Sequence, residues 1–164
     1  MVNNLMKIAR VALVALLVTN LAPLATGPVL AGGARQTQFA GVVGIINVCN
    51  GEAVVVAGTV KISYHSNQTG GGQNHYNINL RFHGTGEGNL GNLYHMSFIA
   101  NSQFDAPTQD FGSFQVFDLP YRSVFISQGQ SPNIEVEGTI RVFVAGGQAT
   151  GASITSITAT NCHG

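Results

Sequence analysis

The sequence predicts an all-β domain: a single antiparallel meander of about eight strands, with a small β-barrel preferred over a β-sandwich. Three observations carry this prediction. Past residue 38 apolar and polar residues alternate in short runs, and no segment repeats its apolar residues near a period of 3.6 over three turns. Glycine, proline or asparagine punctuates the chain between those runs. Two cysteines, Cys49 and Cys162, stand near the two ends of the same region. A Cys49–Cys162 disulfide would join the first strand to the last, as suits a sheet that closes on itself. Closure also removes exposed sheet edges, which otherwise invite aggregation.

The chain divides into three parts. Residues 1–10 contain Lys7 and Arg10 and no acid, and an apolar run follows from Val11 through Leu24. Val29-Leu30-Ala31 then sets small or modest side chains before Gly32. A basic start, an apolar centre and a small-residue exit read as a secretory signal peptide over residues 1–31. Thr19, Asn20 and Pro23 interrupt the apolar run, which falls short of the roughly 20 residues of a spanning helix. No stable membrane span is therefore expected after cleavage, and the chain is expected to be secreted, in the periplasm or outside the cell. Residues 32–38 read as a flexible N-terminal arm and residues 39–164 as the all-β domain.

Charge narrows the function classes. The leader takes Lys7 and Arg10 with it, so seven acidic residues face five scattered basic ones, Arg35, Lys61, Arg81, Arg122 and Arg141. Nucleic-acid binding needs a clustered basic surface, and nucleic acid is excluded as a partner on that ground. In an exported chain an even pair of cysteines is most simply one disulfide. Closing so long a loop stabilises by about 4–5 kcal/mol in the chain-entropy account.

The strands follow in order. Residues 39–48 (FAGVVGIINV) form strand one, and Asn50-Gly51 supplies the reversal after it. Residues 53–65 and 73–84 are strands two and three, the two arms of a long hairpin. Residues 84–91 (GTGEGNLG) read as a flexible turn, residues 93–101 as strand four and residues 102–110 as a loop. Residues 111–119 and 121–128 are strands five and six, separated by Pro120, which cannot donate to a ladder. Residues 134–145 and 149–160 are strands seven and eight, joined through Gly146-Gly147.

The long hairpin fixes the predicted core. Val60, Ile62 and Tyr64 in one arm, with Tyr76, Ile78, Leu80 and Phe82 in the other, occupy one parity and form one face. Lys61, Ser63, His65, His75, Asn77, Asn79 and Arg81 occupy the other. The apolar face is taken as the inside; the converse is a barrel whose lumen is lined by Asn77, Asn79 and Arg81. With the turn centred on Gly70, His65 falls opposite His75, Ser63 opposite Asn77 and Lys61 opposite Asn79. Paired imidazoles suit Zn²⁺ or Cu²⁺, which makes His65 and His75 the candidate metal ligands. Two ligands fall short of the four in a structural zinc site, and the plainer reading is a polar outward face.

No catalytic signature stands out. GxSxG and HExxH are absent from the sequence. Glu135 and Glu137 share one strand face as a formal acid/base pair, and an exposed polar face is the preferred reading of both. No catalytic residue and no cofactor is assigned, and the chain is expected not to be an enzyme. Asn67-Gln68-Thr69 matches an N-glycosylation sequon, which matters in a eukaryotic host alone.

Cys49-Asn50-Gly51-Glu52, then Val54-Val55-Val56, Gly58-Thr59-Val60, the Gly84-Thr85-Gly86 turn, the Gly91…Tyr94 strand start and Cys162 carry a resemblance. Together they resemble a group of uncharacterised secreted bacterial β-rich proteins with a Cys-Asn/Thr-Gly-Glu start and a C-terminal Cys. The resemblance implies a secreted, disulfide-closed domain and transfers no functional residue. The sequence thus predicts a secreted non-enzymatic binding module of unknown ligand, with a small molecule or a second copy of the chain as the partners open to it. The alternatives are a structural or adhesive envelope protein that works through its surface and self-association, and a histidine-dependent metal-binding protein or enzyme.

Overall fold

The computed structural model describes residues 15–17, 35–69, 73–107 and 114–163. Its strands are β1 (Ala15–Leu17), β2 (Arg35–Ile46), β3 (Ala53–Thr69), β4 (Gln73–Gly88), β5 (Leu93–Pro107), β6 (Gln115–Ser127), β7 (Asn133–Ala145) and β8 (Gln148–His163). All pair antiparallel with their sequence neighbours in one sheet of order β1 to β8. The seven long strands β2–β8 form a meander that curls into a half-barrel. The Cys49–Cys162 disulfide joins the ends of its first and last strands. No helix among the described residues is long and apolar enough to cross a membrane.

The alternation in sequence becomes the two faces of this sheet. Val60, Ile62, Tyr64, Tyr76, Ile78, Leu80 and Phe82 are all buried. They join Tyr94, Met96, Phe98, Leu119, Tyr121, Phe125, Ile134, Val136 and Ile140 in one core on the concave side. Full burial of side chains of this size contributes about 1.5–3 kcal/mol each, so one contiguous inner face can hold the curled sheet together.

Glycine sets the curl. Gly41, Gly58 and Gly84 stand directly opposite one another on β2, β3 and β4. A Cβ on Gly58 would overlap the backbone of His83 and Gly84. Neighbouring strands approach so closely there that no side chain fits, and a glycine column of this kind is where a sheet can bend sharply.

Several boundaries differ from the sequence prediction, each for a physical reason. The arm expected over residues 32–38 is strand from Arg35 onward, because it pairs with the long arm of β3 as far as Tyr64. The 84–91 turn is strand through Gly88, where the glycines admit close pairing with Val54 and Val56. The 102–110 loop is strand through Pro107, drawn out by its ladder with β4. Pro120 does not divide two strands: it lies inside β6, opposite Thr139 of β7. What it interrupts is the other ladder. Pairing of β5 with β6 stops at Ile99–Arg122, two residues from Pro120. Beyond that point the sheet forks, with β5 staying on β4 and β6 staying on β7.

The hairpin register is offset by two residues from the predicted one. His65 faces Asn77, Ser63 faces Asn79, Lys61 faces Arg81 and His75 faces Asn67. A shift of two preserves which face every side chain occupies, so the predicted core is intact while the predicted His65–His75 pairing is not. The tip at Gly70-Gly71-Gly72, on which the register was centred, lies outside the described residues.

Candidate functional site

The densest polar site is at the end of the half-barrel that carries the disulfide. Asn47 and Glu52 flank the turn after β2, and both side chains are fully buried. The turn is tight: Gly51 N–H donates to Asn47 O at 2.7 Å and Asn47 N–H to Glu52 O at 2.7 Å. Gly51 takes φ +79°, as expected of the Asn-Gly step. The side chains of Asn47 and Asn50 fold back onto Cys49 N–H and Glu52 N–H, the local bonding that makes asparagine a turn residue.

The Glu52 carboxylate then gathers three turns. Oε1 accepts Leu90 N–H at 3.2 Å and Asn92 Nδ2 at 3.1 Å. Oε2 accepts the Tyr94 hydroxyl at 2.6 Å, Asn92 Nδ2 at 3.1 Å, Asn50 Nδ2 at 3.3 Å and the Ser131 hydroxyl at 3.3 Å. Tyr94 in turn accepts Asn47 Nδ2. Below the carboxylate lies Gly88, where any Cβ would overlap the Glu52 side chain.

Each of these donors is a neutral group. Burial by itself would raise the Glu52 pKa, but the bonds from Tyr94, Asn92, Asn50 and Leu90 N–H outweigh it and bring the pKa down to about 2. Burial and the adjacent Glu52 anion push the Tyr94 hydroxyl up. An anion with both oxygens engaged cannot serve as a base near neutral pH. The cluster is a staple that ties the β2–β3, β4–β5 and β6–β7 turns together.

A second polar cluster lies around Glu135, which is buried rather than exposed as the sequence suggested. Arg122 Nη2 reaches its Oε1 at 2.7 Å and His163 Nε2 its Oε2 at 3.0 Å. Glu137, two residues on, meets Arg122 at 3.6 Å. The Arg122 hydrogen bond and charge, with a smaller contribution from His163, hold the Glu135 carboxyl below the usual range. A general acid needs the opposite shift, and both Glu135 oxygens are taken up by Arg122 and His163.

The cavities lie near this cluster. An open cleft of about 400 Å³ is lined by Ile99, Asn101, Pro120, Tyr121, Arg122 and Glu137, among others. This is the base of the β5–β6 fork, since Ile99 and Arg122 are the last pair of that ladder. A second groove of about 450 Å³ runs past Ser127, Ser131, Asn133, Cys162 and His163.

The candidate metal ligands are dispersed. His75 Nδ1 lies 2.8 Å from Asp105 Oδ1 on β5, while His65 is on β3 opposite Asn77. Its Nε2 is buried without a hydrogen-bond partner. The imidazoles that meet are His83 and His95, edge to face at 4.5 Å between centroids. Among the described residues no group of three or more His, Cys, Asp or Glu converges to hold a metal ion.

Sequence reasoning took Glu52 as a turn residue and missed its partners. Asn50 is two residues away, but the other partners come from 38 or more residues away, and nothing local marks Asn92, Tyr94 or Ser131 as converging on one carboxylate. No family model matches the chain, and no curated protein or solved structure matches it either.

Proposed function

We propose that the chain is a secreted, non-enzymatic β domain that binds a small polar molecule at the base of the β5–β6 fork. The observation that carries this reading is the fork cleft itself. Polar and charged groups, Asn101, Arg122 and Glu137, converge there beside the apolar Ile99 and Pro120, the mixture expected of a small-molecule site. Its walls belong to two well-paired ladders, β4–β5 and β6–β7, so the side chains are held on rigid elements. The concave side is filled by the apolar core, which favours a site in the wall over one in the lumen. The Cys49–Cys162 disulfide is consistent with folding outside a reducing compartment.

The test is a titration of isotope-labelled protein with a panel of amino acids, saccharides and small organic acids, followed by NMR. Shifts confined to Asn101, Tyr121, Arg122 and Glu137, and lost in Arg122→Ala, support the reading. Binding mapped elsewhere, or none across the panel, overturns it.

A second reading rests on a separate observation. Leu93, Ile99, Val124 and Ile126 are exposed on the convex face of β5 and β6, where the two strands are paired. Large apolar side chains exposed on one shared face suit an interaction surface, and they favour a structural or adhesive role through self-association. Concentration-dependent sedimentation that Val124→Lys abolishes would support this reading, and a strict monomer would end it.

A further inference from the structure

The five histidines of the chain differ in what their rings touch. His75 lies on Asp105 and His163 on Glu135, and the Nε2 of His65 is buried. His83 is exposed and His95 half-buried. Neither of these two rings makes a hydrogen bond among the described residues, and what each meets is the other.

Strand register brings them together. On the β4–β5 ladder His83 is opposite Ser97 and Thr85 is opposite His95, so the two imidazoles are diagonal neighbours. Their chain neighbours Phe82, Tyr94 and Met96 are buried in the core, which leaves both histidines on the convex face. Side chains of this length reach one another across such a diagonal. Both backbones are also held from the far side, His83 by Thr59 of β3 and His95 by Ile126 of β6. The direct cross-strand neighbours are thus Thr59, Thr85, Ser97 and Ile126, all uncharged. Glu87, opposite Leu93, stands on the other diagonal from His95. Arg81, beyond His83 and opposite Lys61, donates through Nε to Asn79.

The spacing of the rings selects an ion. A metal–nitrogen bond is about 2.0–2.1 Å, which puts the centre of a bound imidazole about 3.2 Å from the ion. Two rings at a right angle about one ion then have centres about 4.5 Å apart, and two at the tetrahedral angle about 5.2 Å. The observed separation is 4.5 Å, the right-angle value. Each ring can turn about its own metal–nitrogen bond, so the 71° between the ring planes does not oppose chelation. Tetragonal coordination by nitrogen and oxygen is the preference of Cu²⁺, which also exceeds Zn²⁺ in affinity for such ligands.

We propose that His83 and His95 form a two-imidazole site for Cu²⁺ on the outer wall of β4 and β5, with water in the remaining equatorial positions. The site shares no residue with the fork cleft and stands independently of what that cleft binds. Two ligands on paired strands hold the ion by chelation: once one imidazole has bound, the other meets the ion at a high effective concentration.

The experiment titrates the full chain with Cu²⁺ in a non-coordinating buffer at neutral pH, followed by calorimetry and electron paramagnetic resonance. One ion should bind with a tetragonal spectrum showing two coupled nitrogens, and Zn²⁺ should bind more weakly. His83→Gln and His95→Gln should each weaken Cu²⁺ binding by about a hundredfold, while His75→Gln should leave it unchanged. No binding overturns the site. So does binding unchanged in both variants, which would place the ion elsewhere, or a loss in one variant alone, which would mean a single imidazole. If a variant fails to fold, the unmodified chain decides: nuclear magnetic resonance broadening by substoichiometric Cu²⁺ should centre on His83, Thr85, His95 and Ser97, and broadening centred elsewhere overturns the proposal.

Discussion

Replacing Glu52 with glutamine tests the staple most directly. Glutamine keeps the shape of the side chain but turns one acceptor oxygen into a donor. That new amide must face Tyr94, Asn92, Asn50 or Ser131, all of which already donate to this site. The magnitude follows from the protonation equilibrium. A folded pKa of about 2 against an ordinary 4.5 makes the anion worth at most about 3 kcal/mol at pH 7. That is a large share of the roughly 5–15 kcal/mol by which a domain is stable.

The sign is set by the depressed pKa. The stabilisation is fully present above pH 4.5 and is lost as the pH falls through about 2. Linkage leaves about 1.4 kcal/mol of it at pH 3. Urea unfolding, followed by far-UV circular dichroism at pH 7 and pH 3, reads both quantities. Glu52→Gln should be less stable by about 3 kcal/mol at pH 7, and the gap should narrow by about 2 kcal/mol at pH 3. Tyr94→Phe removes the 2.6 Å bond and should cost about 1.5–3 kcal/mol, with the acid transition moved to higher pH. A Glu52→Gln protein as stable as the parent at pH 7, or a gap of the same size at pH 3, would refute the staple.

Two further outcomes are expected. Gly88→Ala should destabilise by about as much as Glu52→Gln, because a methyl group there displaces the carboxylate; combined with Glu52→Ala its effect should shrink, as coupled neighbours require, and thermal melts of the single and double variants check this. Cys49→Ser with Cys162→Ser opens a loop of sequence separation 113 and should lower stability by about 5 kcal/mol in the chain-entropy account, read as a fall in the urea midpoint together with a rise in the m-value as the unfolded chain expands.

The parts of the fold that depend on parity were legible in the sequence. Seven predicted core residues of the long hairpin are buried, because a strand face is decided by odd or even position and survives a two-residue change of register. The disulfide was legible because only two cysteines exist to pair. What depended on absolute register was not. The facing of His65 and His75 hinged on where the turn between β3 and β4 is centred, and a glycine-rich tip does not fix that centre. Pro120 was read correctly as a ladder breaker but assigned to the wrong effect. A proline can lie in a strand when the edge it spoils is left unpaired, and the ladder it leaves unpaired is the one to β5. Glu52 was illegible for a different reason: five of its six hydrogen bonds come from side chains and a backbone group that are distant in sequence, and Asn50 alone is local.

The two ends of the half-barrel are restrained by different means. At the disulfide end, one buried anion and one covalent bond fix three turns and both edge strands. Nothing in that cluster is free to change partners without exposing a charge in a buried site, which costs several kcal/mol. At the opposite end, past Ile99 and Arg122, β5 and β6 have no ladder between them, and the rings of Phe104 and Phe117 meet across the gap at 5.2 Å between centroids. Ring contacts of this kind contribute about 0.5–1.5 kcal/mol, and they are less directional than a ladder of hydrogen bonds. The fork is therefore held by side-chain packing between two intact ladders, while the Glu52 staple ties the three turns at the other end.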